Sequence, residues 1–187
     1  MKKLLAIMSA GALLATSAAM AEAKIDVLPG DFLFASGAGA WGTEMTLKED
    51  MTFSGNYSDS EMGETGEGYE YGSCYICSFS GSFSTPEAQD DGTCTLTVTS
   101  LSYANEPGGE TIDDSIRYVY EEAYGIAEGD EFIYYPAGYA TADMEEGAVE
   151  WAALTNAWGE DIPETLENAV LYNATQDYAF SQQVFED

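Results

Sequence analysis

The sequence predicts a mainly β chain: an antiparallel barrel of about eight strands with one short helix in its C-terminal half. Three observations carry this. Several segments alternate apolar and polar residues with period two, which marks strands with one buried face. Clusters rich in Gly, Pro, Asp and Ser separate these segments at short intervals. A single segment, Met144 to Trp158, repeats its apolar residues at helical spacing. Closing such strands on themselves removes the edges that would otherwise pair with other chains, and the chain is expected to be a monomer.

The elements follow in order. Asp26 to Ser36 holds a Pro-Gly turn and then a short apolar strand. In Trp41 to Lys48, residues Trp41, Thr43, Met45 and Leu47 share one face. In Thr52 to Ser58 the inward set is Phe53, Gly55 and Tyr57. Inward residues must face inward residues, so a three-residue loop, Glu49-Asp50-Met51, sets Leu47 opposite Phe53, Met45 opposite Gly55 and Thr43 opposite Tyr57. Such a loop ends on a residue in the left-handed region, normally Gly. Here that residue is Met51, so a positive φ is expected at Met51. Asp59 to Gly72 lacks periodicity and reads as an acidic, glycine-rich loop over the barrel mouth. Tyr75 to Phe83 points Tyr75, Cys77, Phe79, Gly81 and Phe83 inward. After a connection over 84–93, Cys94 to Leu101 answers it, with Phe83 expected near Cys94, Gly81 near Leu96 and Phe79 near Val98. Ala104 to Asp113 reads as a loop. Ser115 to Glu121 and Glu131 to Pro136 are strands split by an acidic turn. The helix from Met144 presents Ala148, Trp151, Ala152, Thr155 and Trp158 on one face, with Gly159 placed to end it. Ala169 to Ala174 and Tyr178 to Ser181 close the chain.

Composition bounds the chemistry. The 187 residues suit one domain, here 24–187, and there is no histidine. That removes the commonest general base and transition-metal ligand. Lys2 and Lys3, the apolar run Leu4 to Ala19 and the small residues Ala21 and Ala23 form a secretory signal, residues 1–23, with cleavage after Ala23 or Ala21. No cysteine lies near that cleavage site, so no lipid anchor is expected, and no later apolar run could span a bilayer as a helix. Large acidic loops and a non-aromatic last residue argue against an outer-membrane barrel. The protein is therefore expected to be secreted or periplasmic. Cleavage after Ala23 would leave 3 basic and 33 acidic residues, a charge of −30. Nucleic acid and anionic lipid are disfavoured partners in that field, and a cation is allowed.

The stretches SGAGAWGTEMTL, TFSGNYSDSEMGETGEGY, CSFSGSFS, RYVYEEAYGI, FIYYPAG and LYNATQDYAFS together resemble a group of secreted or lipid-anchored bacterial domains, frequent in Firmicutes. The Gly39-Ala40-Trp41 triplet is similar to the G-x-W signature of lipocalins. The resemblance covers most of residues 30 to 182. It implies a lipocalin-like, calycin-type barrel at the cell surface and brings no activity with it. Three departures stand out: Asp50-Met51 where such domains usually carry Asp-Gly, no lipobox cysteine, and a lone arginine, Arg117, mid-chain rather than on the late strand that would stack on Trp41.

Candidate chemistry is sparse. Asp59, Glu61, Glu64 and Glu67, spaced among glycines, could offer oxygens to calcium, though their spacing does not match the EF-hand. Cys74 and Cys77 form C-x-x-C on a strand, where residues three apart face opposite ways, about 10 Å from each other and beyond disulfide reach. Free thiols are expected, two of them buried. Trp41, Tyr57, Tyr75 and Phe79 could line a cavity for a small apolar or aromatic ligand, or simply fill the core. No catalytic residues stand out, because a serine nucleophile lacks a base and no carboxylate pair can be singled out. The expected function is a non-catalytic binding or surface-interaction module. Alternatives are an envelope-associated protein with a filled barrel, a weak calcium binder, or a carboxylate-dependent hydrolase.

Overall fold

The computed structural model describes residue 27, residues 29–159 and residues 161–184. The expected export signal, residues 1–23, lies outside the described residues. Eight antiparallel strands close into a barrel in chain order: β1 (Gly30–Ala35), β2 (Trp41–Leu47), β3 (Thr52–Glu61), β4 (Ser73–Phe83), β6 (Cys94–Tyr103), β9 (Glu131–Tyr135), β10 (Val170–Asn173) and β11 (Tyr178–Gln183). Pairing of β11 with β1 and of β4 with β6 completes the circuit. Three short strands are additions: β5 (Glu87–Ala88), β7 (Glu110–Asp113) and β8 (Ile116–Tyr120). Among the described residues one α-helix, α1 (Glu146–Thr155), lies outside the barrel.

The first hairpin follows its face pattern. Leu47 pairs with Phe53, Met45 with Gly55 and Thr43 with Tyr57. Met51 has φ 64°. Asp50 holds the turn, accepting hydrogen bonds from the Thr52 amide at 3.1 Å and its hydroxyl at 2.6 Å. A non-glycine residue in the left-handed region costs about 1 kcal/mol. Met51 offsets it by packing its side chain on the core and by accepting a backbone bond from Phe83 at 2.9 Å.

The next register differs from expectation. Phe83 faces Val98, Gly81 faces Leu101 and Phe79 faces Tyr103, not Cys94, Leu96 and Val98. The stretch 84–93 is no simple connection. It contains β5, which pairs Glu87 with Thr95 and Ala88 with Cys94, so the turn lies beyond it. An even slip keeps every residue on its face, so alternation cannot distinguish the two registers. A bulge at Thr99 then flips the parity, turning Leu101 and Tyr103 toward the core.

Other boundaries also move. β3 continues to Glu61, so Asp59 and Glu61 belong to a strand rather than to the loop. The stretch 104–113 contains β7. Ser115 to Glu121 supplies β8, which lies outside the barrel circuit and runs parallel to the first half of β4. The helix is shorter than its pattern. Asn156 caps it by donating to the Ala152 carbonyl at 2.8 Å, and Ala157, at φ 54°, turns the chain two residues before Gly159.

The interior is filled. Phe32, Met45, Leu47, Phe53, Phe79, Phe83, Leu96, Val98, Phe132, Tyr134, Leu171 and Phe180 are all buried inside. Cys77 and Cys94 join them, Cys74 is half-exposed, and all three are free. A second cluster, with Ala148 and Ala152, seats α1 on the outer faces of β10 and β11. Two glycines let the barrel curve. Phe79 lies over its cross-strand partner Gly55, and Phe53 over its partner Gly81. A Cβ on Gly55 would stand 2.4 Å from the Phe79 ring and 2.3 Å from the Glu44 carbonyl. On Gly81 it would stand 2.5 Å from the Phe53 ring and 2.2 Å from the Ser100 carbonyl. Gly55→Ala and Gly81→Ala should each lower the unfolding free energy by about 1–3 kcal/mol in urea denaturation. Gly63→Ala, whose Cβ meets nothing within 4 Å, should change it by about 0.5 kcal/mol at most. Equal effects at all three positions would contradict the glycine–phenylalanine packing.

Candidate functional site

The barrel mouth is the end where Phe34, Trp41, Asp59, Tyr75, Asn173 and Tyr178 sit. The segment 121–130 crosses it. The sequence reading took this stretch as an acidic turn, but its centre, Ala123, Gly125 and Ile126, is buried. Irregular backbone inside a barrel needs partners for its polar groups, and inward-facing polar side chains supply them. Thr43, on an otherwise apolar face, donates its hydroxyl to the Tyr124 carbonyl at 2.7 Å. Asn173 donates to the Gly125 carbonyl at 2.9 Å and to Asp130 Oδ2 at 2.7 Å. Asp130 also accepts from the Ala127 amide at 2.7 Å and from Gln176. The Glu121 amide donates to the Ile76 carbonyl at 2.9 Å. Gly125 has φ +91°, and a Cβ there would stand 2.7 Å from the Phe34 ring, so only glycine lets the segment lie this deep. The segment is a plug.

Around the plug stands an aromatic cluster. Phe34 lies 5.0 Å from Trp41, 5.4 Å from Tyr124, 5.0 Å from Trp151 and 4.9 Å from Tyr178, centroid to centroid. Trp151 reaches over the rim from α1, which is fixed there by Thr155 donating to the Ala35 carbonyl at 2.9 Å. Trp41 is part of this packing.

Above the plug lies a cleft of about 780 Å³. Its walls are Tyr57, Asp59 and Glu61 from β3, Glu64 from the loop, Tyr75 from β4, Glu121 to Gly125 from the plug, and Gln176. Of the residues nominated from sequence, Tyr57, Tyr75, Asp59, Glu61 and Glu64 meet here. Phe79 is buried in the core, Trp41 belongs to the neighbouring aromatic cluster, and Glu67 stays on the exposed loop. Sequence reasoning missed Glu121, Glu122, Tyr124 and Gln176. The available signal was the apolar run Ala-Tyr-Gly-Ile inside an acidic stretch.

The carboxylates spread along the walls. Among the described residues, no three Asp, Glu or Cys side chains gather as metal ligands, so Asp59, Glu61, Glu64 and Glu67 do not converge on a point. Their charge registers on Tyr57, whose hydroxyl is pushed up to about 12 by burial and then by Asp59 and Glu121. Tyr124 rises to about 12 through burial and its 3.3 Å hydrogen bond to Tyr178.

Glu64 differs from the other four cleft carboxylates. It accepts from the Tyr75 hydroxyl at 2.6 Å and pairs with Arg117 at 2.6 Å, and these two groups, Tyr75 first, hold its carboxyl below the usual range. Arg117 also donates from Nε to Ser73 at 3.1 Å and lies 4.9 Å over the Tyr69 ring. The acidic loop is thereby tied to β8 as one wall of the cleft, and Arg117 sits on Tyr69 rather than on Trp41.

No protein-family model, no curated protein and no solved structure matches the chain.

Two measurements check this geometry. Asn173→Ala leaves the Gly125 carbonyl without its side-chain donor and removes one of three donors to the buried Asp130 carboxylate, and should lower stability by about 1–3 kcal/mol, whereas a fall below about 0.5 kcal/mol would show that the plug is not held there. In an alkaline titration followed by tyrosinate absorbance, Tyr57 and Tyr124 should ionise near 12 and not near the ordinary 10. The unfolded chain releases these protons first, so stability is unaffected below pH 10 and falls between 10 and 12. Complete titration of the folded protein near 10 would contradict the raised position of both phenols.

Proposed function

We propose that this protein is an exported, monomeric, non-catalytic binding barrel of lipocalin-like type. Its ligand is a small organic cation bearing more than one positive charge, taken at the mouth and not in the interior. One observation carries the reading: a cleft of about 780 Å³ walled by five carboxylates and three tyrosines, Tyr57, Tyr75 and Tyr124. That volume is typical of small-molecule sites. A filled interior leaves no room for the apolar ligand that the sequence alone favoured. Carboxylates strung along a cleft suit charges spaced along a chain better than a single metal ion, which wants its oxygens gathered around one centre. Tyrosine faces attract ammonium groups by about 0.5–2 kcal/mol each. A formal charge of −29 steers cations toward the protein. The non-catalytic reading draws on the mouth chemistry: Tyr57 and Tyr124, held near 12, are poor proton donors or acceptors at neutral pH.

A surface-interaction module is a second reading. It draws on the apolar groove beside α1, where Leu154 and Ile162 are half-exposed.

The test is calorimetric titration with spermidine at low ionic strength, with calcium as a parallel titrant. Spermidine should bind, the affinity should fall steeply with added salt, and the double variant Glu121→Gln/Glu122→Gln should bind roughly tenfold more weakly. Absence of spermidine binding, or binding indifferent to that double variant, would sink the proposal. Calcium binding of equal strength would move the assignment to a metal site.

A further inference from the structure

Arg117 is the sole arginine of the chain. It is spent on a carboxylate that lines the cleft, not on one of the many acidic residues elsewhere. Its guanidinium has the three contacts a bound organic cation would seek: the Glu64 carboxylate at 2.6 Å, the Ser73 hydroxyl at 3.1 Å and the Tyr69 face at 4.9 Å. Among the described residues, the only other cation is Lys48, beside Asp50 in the hairpin turn at the far end of the barrel. No salt bridge or hydrogen bond engages the carboxylates of Asp59, Glu61, Glu121 and Glu122 within the described chain.

We propose, resting on the reading of the cleft as a cation site, that Arg117 is an internal competitor that sets its affinity by occupying Glu64. Two features make the exchange possible. The pair is partly open to water, with the Arg117 and Glu64 side chains 19% and 44% exposed, and ion pairs in such settings are weak and screened by salt. The loop does not depend on the side-chain pair alone. The Arg117 amide donates to the Gly72 carbonyl at 3.1 Å and the Tyr71 amide to the Ser115 carbonyl at 3.0 Å, so the backbone stays tied when the guanidinium swings away. A ligand ammonium that takes Glu64 displaces Arg117 into solvent. Arg117 also keeps a positive charge beside Glu64, which opposes any cation approaching that carboxylate.

The experiment uses the same spermidine titration on three variants, each first checked by its thermal melt. Arg117→Gln frees Glu64 and removes the opposing charge, and should tighten binding by roughly fivefold. Arg117→Lys keeps a positive charge within reach of Glu64 and should bind close to the unmodified protein. Adding Glu64→Gln to Arg117→Gln should cancel the gain. Tightening by Arg117→Gln that Glu64→Gln reverses supports the competitor role. Unchanged or weaker binding by a folded Arg117→Gln overturns it while leaving the cleft assignment intact. So does a gain that survives Glu64→Gln. Loss of spermidine binding in Glu121→Gln/Glu122→Gln, with none of these effects at Arg117, separates the two proposals. Absence of binding by the unmodified protein and by Arg117→Gln alike overturns both.

Discussion

Backbone laid inside a barrel has to be hydrogen-bonded there, and this constraint organises the mouth of the molecule. The strands satisfy their own amides and carbonyls through neighbours, but the plug at 121–130 joins a ladder only at its ends, Glu121 with Ile76 and Gly129 and Asp130 with Val98. Thr43 and Asn173, inward-facing polar residues in apolar surroundings, act as its ladder. Asp130 gathers the far end of the plug by accepting from Ala127, Asn173 and Gln176 together. Without this set the plug's carbonyls would be stranded in a low-dielectric interior, at about 1–3 kcal/mol each. With it, the plug becomes the floor of the cleft and projects Glu121, Glu122 and Tyr124 toward the rim.

The position of Arg117 follows from a different constraint, the way β4 shares its edges. Its second half pairs with β6, and the bulge at Thr99 lets Leu101 and Tyr103 stay on the core side. Its first half is left without β6. The excursion that carries β7 and β8 returns to cover it, with β8 parallel and Arg117 opposite Ser73. The same register that protects the edge of β4 therefore places the sole arginine within reach of Glu64 and Tyr69. Fold repair and site electrostatics share one strand.

Where the sequence was legible, the signal was local. Alternation in β2 and β3, joined by a short turn, left a single register and forced Met51 into the left-handed region, where it lies at φ 64°. The strand setting of Cys74 and Cys77 sent them to opposite faces. Where it was not legible, the determining contacts were distant in sequence. Face matching allowed the β4–β6 pairing to slip by an even number of residues, and only the fold-back of β5 removes that freedom. The plug could not be read because its partners, Thr43 and Asn173, lie 81 and 48 residues away from the carbonyls they satisfy. Thr43 could be placed on the inward face, but alternation gives no reason for a hydroxyl there.

The cleft reports its own field through Tyr57. Burial raises this phenol first, and Asp59 from β3 and Glu121 from the plug raise it further. Beside the burial that disfavours any charge there, these two carboxylates add a field that disfavours a further negative one. The apolar plug and aromatic cluster beneath strengthen this, since charges above a low-dielectric floor are screened less than charges in open water. An acidic surface by itself serves solubility, and most of the carboxylates here need no other explanation. Those at the mouth differ in lining a concave, tyrosine-bearing cleft, where one of them, Glu64, is paired with the only arginine in the chain.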